Sequence, residues 1–262
     1  MKTSKAFLAI ISILSVICGG CVIFRADNKP VGLIYHCTFD SKEAIEEPMV
    51  GPKGEFIGGD FVDGVKGKAL LVAAKSCSAI VPMEAGFFGN KGCIEFWGRF
   101  DCKDNIVPRT GAAPCFFDCR KQGEVWKHTI MWCANNGGGG GGLCGAVQHY
   151  PATTDSFMSN VSYSKYLGND STKWHHYALV WNSDGIKSLV VSNSLPIRVA
   201  VYLDGVVVGT KTNVNIEKWD LNCFQTTDMI LGFPTAKDSA SFNKLAYEID
   251  EFKIWNYDKV EF

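Results

Sequence analysis

The stretch VAVYLDGVVVG, residues 199–209, sets Asp204-Gly205 between two runs rich in β-branched apolar residues. Glycine accepts the positive φ that a two-residue hairpin turn demands, so this stretch reads as two antiparallel strands joined tightly. The runs on either side follow the same rule. GLIYHCTF, KALLVAA, CIEFWGRF, HTIMWCA, WHHYALVWN, IRVAVYLDG, VVVGTK, MILGF and YEIDEFKIW are rich in Val, Ile, Tyr, Phe and Trp. Most are bounded by Gly, Asn, Asp or Pro, and no comparable segment carries a helical period. About a dozen strands without crossover helices imply an all-β, antiparallel two-sheet sandwich.

The chain has 262 residues, is 47% apolar and 20% charged, and has a formal net charge of −1. That balance suits a globular domain with a full core and offers no electrostatic footprint for nucleic acid. Its first residues belong to a different class. Lys2 and Lys5 form a positive n-region, and FLAIISILSVI, Phe7 to Ile17, has the length of a secretory h-region and is short for a bilayer span. Residues 1–21 are therefore expected to be a signal segment, and the protein is expected to be exported: periplasmic, outer-membrane-anchored or extracellular. CGGC, Cys18 to Cys21, leaves two readings open: lipidation of Cys21 in the lipoprotein manner, which would make the membrane a partner through that anchor alone, or ordinary cleavage nearby. Residues 22–30 read as a short polar tether, and 31–262 as the folded domain.

Of eleven cysteines, Cys18 and Cys21 lie in the N-terminal segment and nine follow. In an exported protein these are expected mainly as disulfide partners, with at least one left over by their odd number. Cys115 and Cys119 lack the repeated pair or histidine cluster of a zinc site. The tract NNGGGGGG, Asn135 to Gly142, is followed by Leu143 and Cys144 rather than Lys and Ser or Thr, which excludes a phosphate loop. It reads as a hairpin loop joining HTIMWCA to LCGAVQH. Cys133 and Cys144 flank it, and a bridge between them would offset the entropy of so many glycines.

Taken in order, FD (Phe39-Asp40), GVKGKALLV (Gly64 to Val72), CIEFWGRF (Cys93 to Phe100), KWHHYALVWN (Lys173 to Asn182), VAVYLDGVVVG and IDEFKIWN (Ile249 to Asn256) resemble the concanavalin A-like lectin/glucanase superfamily. The closest likeness is to its laminin-G-like jelly-roll domains, and it covers nearly all of 31–262. Two features depart from it: the insertion SDGIKSLVVSNSLP, Ser183 to Pro196, and the high cysteine count. The resemblance implies a concanavalin A-like jelly roll. It also implies a structural Ca²⁺ tying the first strand, an early glycine loop and the last strand together. Asp40 and Asp250 would supply carboxylate oxygens and the Gly64 to Gly67 turn a carbonyl, the hard ligands that Ca²⁺ requires. The alternative is that both acids only cap turns or pair with lysines.

The same superfamily contains glucanases, and YEIDEFKIW carries Glu248, Asp250 and Glu251. Residues two apart on a strand share a face, so Glu248, Asp250 and Phe252 are expected on one side and Glu251 on the other. Glucanases of this kind set three carboxylates on one face. With Phe252 in the third place, no catalytic residue is assigned. Trp97, Trp174 and Trp181 are expected in the core. His175 and His176, being adjacent on a strand, cannot chelate one metal together. The function expected is a non-catalytic module that binds glycan or an extracellular protein at the cell surface. Trp126 and Tyr150 are its candidate contacts, since a sugar's apolar face stacks on exposed rings. A structural or adhesive surface domain and a glycoside hydrolase are the alternatives, because the fold alone does not choose between them.

Overall fold

Alternation along the apolar runs produces two antiparallel sheets that bury their facing sides against each other. The computed structural model describes residues 31–72, 77–83, 89–101, 115–120, 128–133, 144–149, 157–162, 172–189, 195–212, 228–232 and 246–262. The expected signal segment with Cys21, the tether, Trp126, Tyr150 and the glycine tract lie outside these residues.

The described strands, in chain order, are β1 (Leu33–Cys37), β2 (Glu55–Phe56), β3 (Asp60–Asp63), β4 (Lys68–Val72), β5 (Cys77–Pro82), β6 (Lys91–Asp101), β7 (Cys115–Arg120) and β8 (His128–Cys133). They continue with β9 (Cys144–His149), β10 (Phe157–Ser162), β11 (His175–Asn182), β12 (Val199–Leu203), β13 (Val206–Lys211), β14 (Asp228–Gly232) and β15 (Ala246–Trp255). One sheet has eight strands in the order β13-β12-β11-β6-β15-β4-β3, with β1 also on β15; the other has seven, β10-β9-β8-β7-β14-β5-β2. A short helix, α1 (Lys42–Glu46), follows β1, and the hydroxyl of its N-cap Ser41 accepts from the Ala44 N–H. It is too short to show a period in the sequence. Among the described residues no helix is long and apolar enough to cross a membrane.

The Asp204-Gly205 hairpin forms as read. Leu203 pairs with Val206, and both turn residues have positive φ, 50° and 76°, the signature of a type I′ turn. The β8–β9 hairpin also forms, with the backbones of Cys133 and Cys144 opposite each other in its last pair; their side chains lie outside the described set. Cys37 and Cys93, expected among the disulfide partners, are buried free thiols. Each is enclosed by its own sheet's packing rather than set opposite another cysteine: Cys37 packs in the inter-sheet core, and Cys93 lies in an outer cluster with Val180, Ile186 and Tyr202.

The inter-sheet core unites Ile94, Phe96, Tyr177, Leu179, Trp181, Val199, Val201, Tyr247 and Ile249 of the eight-stranded sheet with Val81, Phe116, Phe117, Met229 and Leu231 of the other. Phe96 sits at its aromatic centre, with ring centroids 5.0 Å from Phe116, 5.6 Å from Phe117 and 5.2 Å from Tyr177. Parity then sends Trp97 and Trp174 away from this core, because Phe96 on β6 and Tyr177, Leu179 and Trp181 on β11 take the inner positions. Of the three tryptophans expected inside, Trp181 alone is fully buried, its indole donating to the Gly89 carbonyl.

The outer side of the eight-stranded sheet is not bare. Cys93, Ala178, Val180, Ala200 and Tyr202 form a second apolar cluster, covered by Ile186 and Ile197. Within the 183–196 stretch, Ile186 and Leu189 thus pack on the outer side of this sheet. The tail after β15 adds Val260 to the cluster, and Phe262 packs its ring 4.8 Å from Tyr202.

In β15 the expected alternation breaks. Asp250 pairs with Trp97 and Lys253 with Glu95, so β15 carries one more residue than β6 over this interval, and Glu251 takes the positive φ of 49°. This is a β-bulge. It shifts the parity: Tyr247, Ile249, Phe252 and Ile254 all enter the core, while Glu248, Asp250, Lys253 and Trp255 face outward. Phe252 therefore does not share a face with Glu248 and Asp250, and the side chain of Glu251 joins the outward carboxylates, where it meets His36 and Lys253. Strict period-two reading fails here because it cannot see an inserted residue.

Close packing of the two sheets gives a prediction with an unusual sign. A Cβ on Gly98 would lie 2.6 Å from the Phe116 ring. Replacing glycine in a strand by alanine normally stabilises, but Gly98→Ala is expected to destabilise by about 1–3 kcal/mol through overpacking. Urea denaturation of the variant against wild type checks it; equal or greater stability would refute the close contact.

Candidate functional site

Three groups of polar side chains arise from this outward face. The first is the junction that the family resemblance picks out. At the bulge, β15 exchanges one neighbour for another: residues 247–249 pair with β4, and 252–255 with β1. The gap is filled by the turn Gly64–Gly67, which is closed by the Gly64 N–H donating to the Gly67 carbonyl at 3.1 Å. Asp250 Oδ2 accepts from the Val65 and Lys66 amides at 2.8 and 3.0 Å, and Asp40 Oδ1 accepts from the Lys68 amide at 2.7 Å. No side chain larger than glycine fits at two points of this turn. A Cβ on Gly64 would stand 2.6 Å from Asp250 Oδ2, and one on Gly67, whose φ is +75°, would strike Asp40 Oδ1.

Asp40, Gly64, Gly67 and Asp250 are thus brought together, as expected, but the turn presents N–H groups to the carboxylates. The second oxygen of Asp250, Oδ1, is buried with no hydrogen-bond partner among the described residues. Burial pushes the Asp250 carboxyl up to about 6, against the amides of Lys66, Val65 and Glu251, which favour its charged form. No cluster of three or more His, Cys, Asp or Glu suited to a metal occurs among the described residues.

The second group comprises the remaining carboxylates of β15, and each has a cation. Arg99 Nε donates to Glu248 Oε2 at 2.6 Å, and the same guanidinium lies 4.8 Å from the Trp174 ring centroid. Glu251 Oε2 meets His36 Nε2 at 2.9 Å and Lys253 Nζ at 3.2 Å. Burial would raise the Glu251 carboxyl, but His36 and Lys253 outweigh it and hold it below the ordinary range.

The third group was not singled out in the sequence. Glu95, on β6, is almost fully buried beneath the tail, where it accepts from Lys259 Nζ at 2.8 and 2.9 Å and from the Trp255 indole at 2.8 Å. His176 Nε2 lies 3.3 Å from its other side. Desolvation acts to raise the Glu95 carboxyl, yet the bonds from His176, Lys259 and Trp255 and the charge of Lys259 bring it down to about 2. Beside this network opens a pocket of about 420 Å³, lined by Glu95, Trp97, His176, Asp204, Lys253 and Phe262. The Asp204-Gly205 turn forms part of its rim, and Asp204 is itself fixed by His175 Nδ1 at 2.7 Å and the His176 amide at 2.9 Å. Opposite orientations of the two histidines, as expected, give each its own carboxylate. The pocket could have been found by reading Trp97 with the parity of Phe96; what the sequence does not supply is the tail that walls it.

Neither a family model nor a curated protein matches the sequence. Solved structures do match the fold. The binding domain of Paraclostridial Mosquitocidal Protein 1 superposes with a TM-score of 0.58 at 13% identity, over 87% of this chain and 49% of that one. The receptor binding domain of botulinum neurotoxin D gives 0.53 at 14% identity, over 87% and 50%. The ligand binding domain of botulinum neurotoxin serotype D, solved in complex with N-acetylneuraminic acid, gives 0.54 at 14% identity, over 87% and 48%. The chain spans about half the length of these structures, and at such identity the likeness is one of fold. The class defined is a β-rich, antiparallel domain with the fold of toxin binding domains.

The Glu95 network makes acid stability testable. A carboxyl lowered from 4.5 to about 2 in the fold contributes stability that is complete above the unfolded value and is lost as pH falls through the folded one. The contribution is on the order of 3 kcal/mol. Wild type minus Glu95→Gln, measured by urea denaturation from pH 5 to pH 2, is expected to shrink across that window; a constant difference would show that Glu95 is not held ionised.

Proposed function

We propose that this chain is an exported, non-catalytic binding module, a laminin-G-like jelly roll that recognises glycan or an extracellular protein at the cell surface. The observation that carries the proposal is the state of the outward carboxylates. Glu248, Asp250 and Glu251 are engaged by Arg99, by loop amides and by His36 with Lys253. A retaining or inverting glycosidase needs two carboxyl groups facing one cleft, one to donate a proton and the other to attack or to activate water. Here the acids brace strands, while the open pocket beside them offers aromatic and polar contacts suited to binding. The matched structures are binding domains by description, which agrees with this reading.

Incubation of the full-length protein with laminarin, lichenan and agarose is expected to release no reducing sugar, whereas a glycan array and a panel of immobilised extracellular proteins are expected to yield a ligand. Hydrolysis abolished by Glu248→Gln would replace this reading with the glucanase alternative.

We also propose a structural Ca²⁺ at the junction of Asp40, the Gly64–Gly67 turn and Asp250. Support comes from the buried Asp250 Oδ1, an oxygen in need of a partner, and from the convergence of two carboxylates on one turn. A native-state cation stabilises by about 2.7 kcal/mol at a hundredfold excess over Kd. Calcium is accordingly expected to raise the melting temperature by several degrees over chelator, and Asp250→Asn to remove the difference. Equal melting of wild type in both conditions would leave Asp40 and Asp250 as caps of the turn.

A further inference from the structure

The outer-face pocket carries an inference that rests on the binding-module reading and specifies its ligand. From the arrangement of its charges and rings we infer that this pocket receives the end of a neutral saccharide, with Trp97 as the stacking platform.

Charge balance selects the ligand class. Each lysine that lines the pocket already faces a carboxylate: Lys259 holds both oxygens of Glu95 and Lys253 is paired with Glu251, while the His176 ring lies against Glu95. Asp204 adds a further carboxylate at the rim, its side chain about half exposed. A sugar acid would set its own carboxylate among Glu95 and Asp204 and would find each lysine of the pocket engaged, so anionic glycans are disfavoured. A cationic ligand meets the opposite obstacle. The aromatic faces that would attract it hold the protein's own ammonium, with Lys259 Nζ 4.7 Å from the Trp255 centroid and 5.0 Å from that of Phe262.

What remains is a ligand with an apolar face and uncharged hydroxyls that both donate and accept. Trp97 is half-buried, held at one side by the His176 ring at 5.2 Å between centroids, and so presents a pre-oriented indole rather than a flexible one. Asp204 is likewise pre-oriented by His175 and the His176 amide, leaving lone pairs for a hydroxyl, and Lys253 offers a donor. A pocket of about 420 Å³ stands near the lower end of the roughly 300–1,000 Å³ usual for small-molecule sites. It suits the terminus of a glycan rather than an extended chain.

The test uses the full-length protein and, as probes, the methyl glycosides of glucose, galactose, mannose and N-acetylglucosamine, with N-acetylneuraminic acid as the anionic comparison. Titrations are followed by the NMR signal of the Trp97 indole N–H, assigned by its absence from Trp97→Phe. At least one neutral glycoside is expected to shift that signal in a saturable way, and N-acetylneuraminic acid to leave it in place. Trp97→Ala is expected to weaken binding about tenfold or more, and Trp97→Phe to retain most of it. Asp204→Asn, which keeps the turn and an acceptor oxygen, provides a second variant if Trp97→Ala does not fold, with binding reduced but not lost. The inference is overturned if no neutral glycoside shifts the Trp97 signal, if N-acetylneuraminic acid binds there at least as well, or if folded Trp97→Ala binds like wild type. Saccharide binding that bypasses Trp97 would sink this site while sparing the binding-module proposal. An absence of any glycan or protein ligand in the wider panels would sink both.

Discussion

The extra residue in β15 governs what the rest of this fold can do. β15 lies at the centre of the eight-stranded sheet, bonded to β6 along its length on one side and to β4 and then β1 on the other. A strand in that position must satisfy every neighbour at once. Placing Glu251 in the left-handed region costs on the order of 1 kcal/mol, yet it lets the first half of the strand register with β4 and the second with β1 while keeping four apolar side chains in the core. The gap left where β4 and β1 diverge cannot be closed by strand pairing. Asp250 and Asp40 close it instead, by taking up the amide protons of the Gly64–Gly67 turn.

This arrangement explains why the outward carboxylates are each tied to partners of their own. A buried acid must be paired or neutralised, because removing a charge from water is costly unless hydrogen bonds and opposite charge compensate. Arg99, His36, Lys253 and Lys259 supply that compensation for Glu248, Glu251 and Glu95. Among the described residues Asp250 is compensated by backbone amides, so burial wins and its carboxyl moves upward, whereas that of Glu95 moves downward. The two shifts follow from the same burial met by different partners.

The outer layer gives one side of the sheet a pocket. Ile186 and Ile197 cover the apolar end of β11 and β12, and the tail brings Lys259 and Phe262 over Glu95, His176 and Tyr202. Between these coverings Trp97 keeps an accessible ring. The pocket therefore owes its floor to strand parity and its walls to segments that belong to no strand.

The sequence by itself determined the all-β class, ten of the described strands with LCGAVQH among them, and the tight turn at Asp204-Gly205, while the resemblance implied the convergence of Asp40 and Asp250 on the glycine turn. These are legible because period-two patterning, turn chemistry and family motifs act locally. Strands β2, β3, β5, β7 and β10 passed unnoticed, since β2 and β3 have only two and four residues and the other three are defined by the partners they meet. Parity across β15 was misread for a related reason: an inserted residue leaves no mark on composition. Tertiary structure alone decided that Trp97 faces outward into a pocket, that Glu95 meets Lys259, Trp255 and His176 beneath the tail, and that Ile186 and Leu189 pack on the outer side of a sheet. Each depends on segments distant in the chain meeting at one place, and the free energy of that meeting is not written in any one of them.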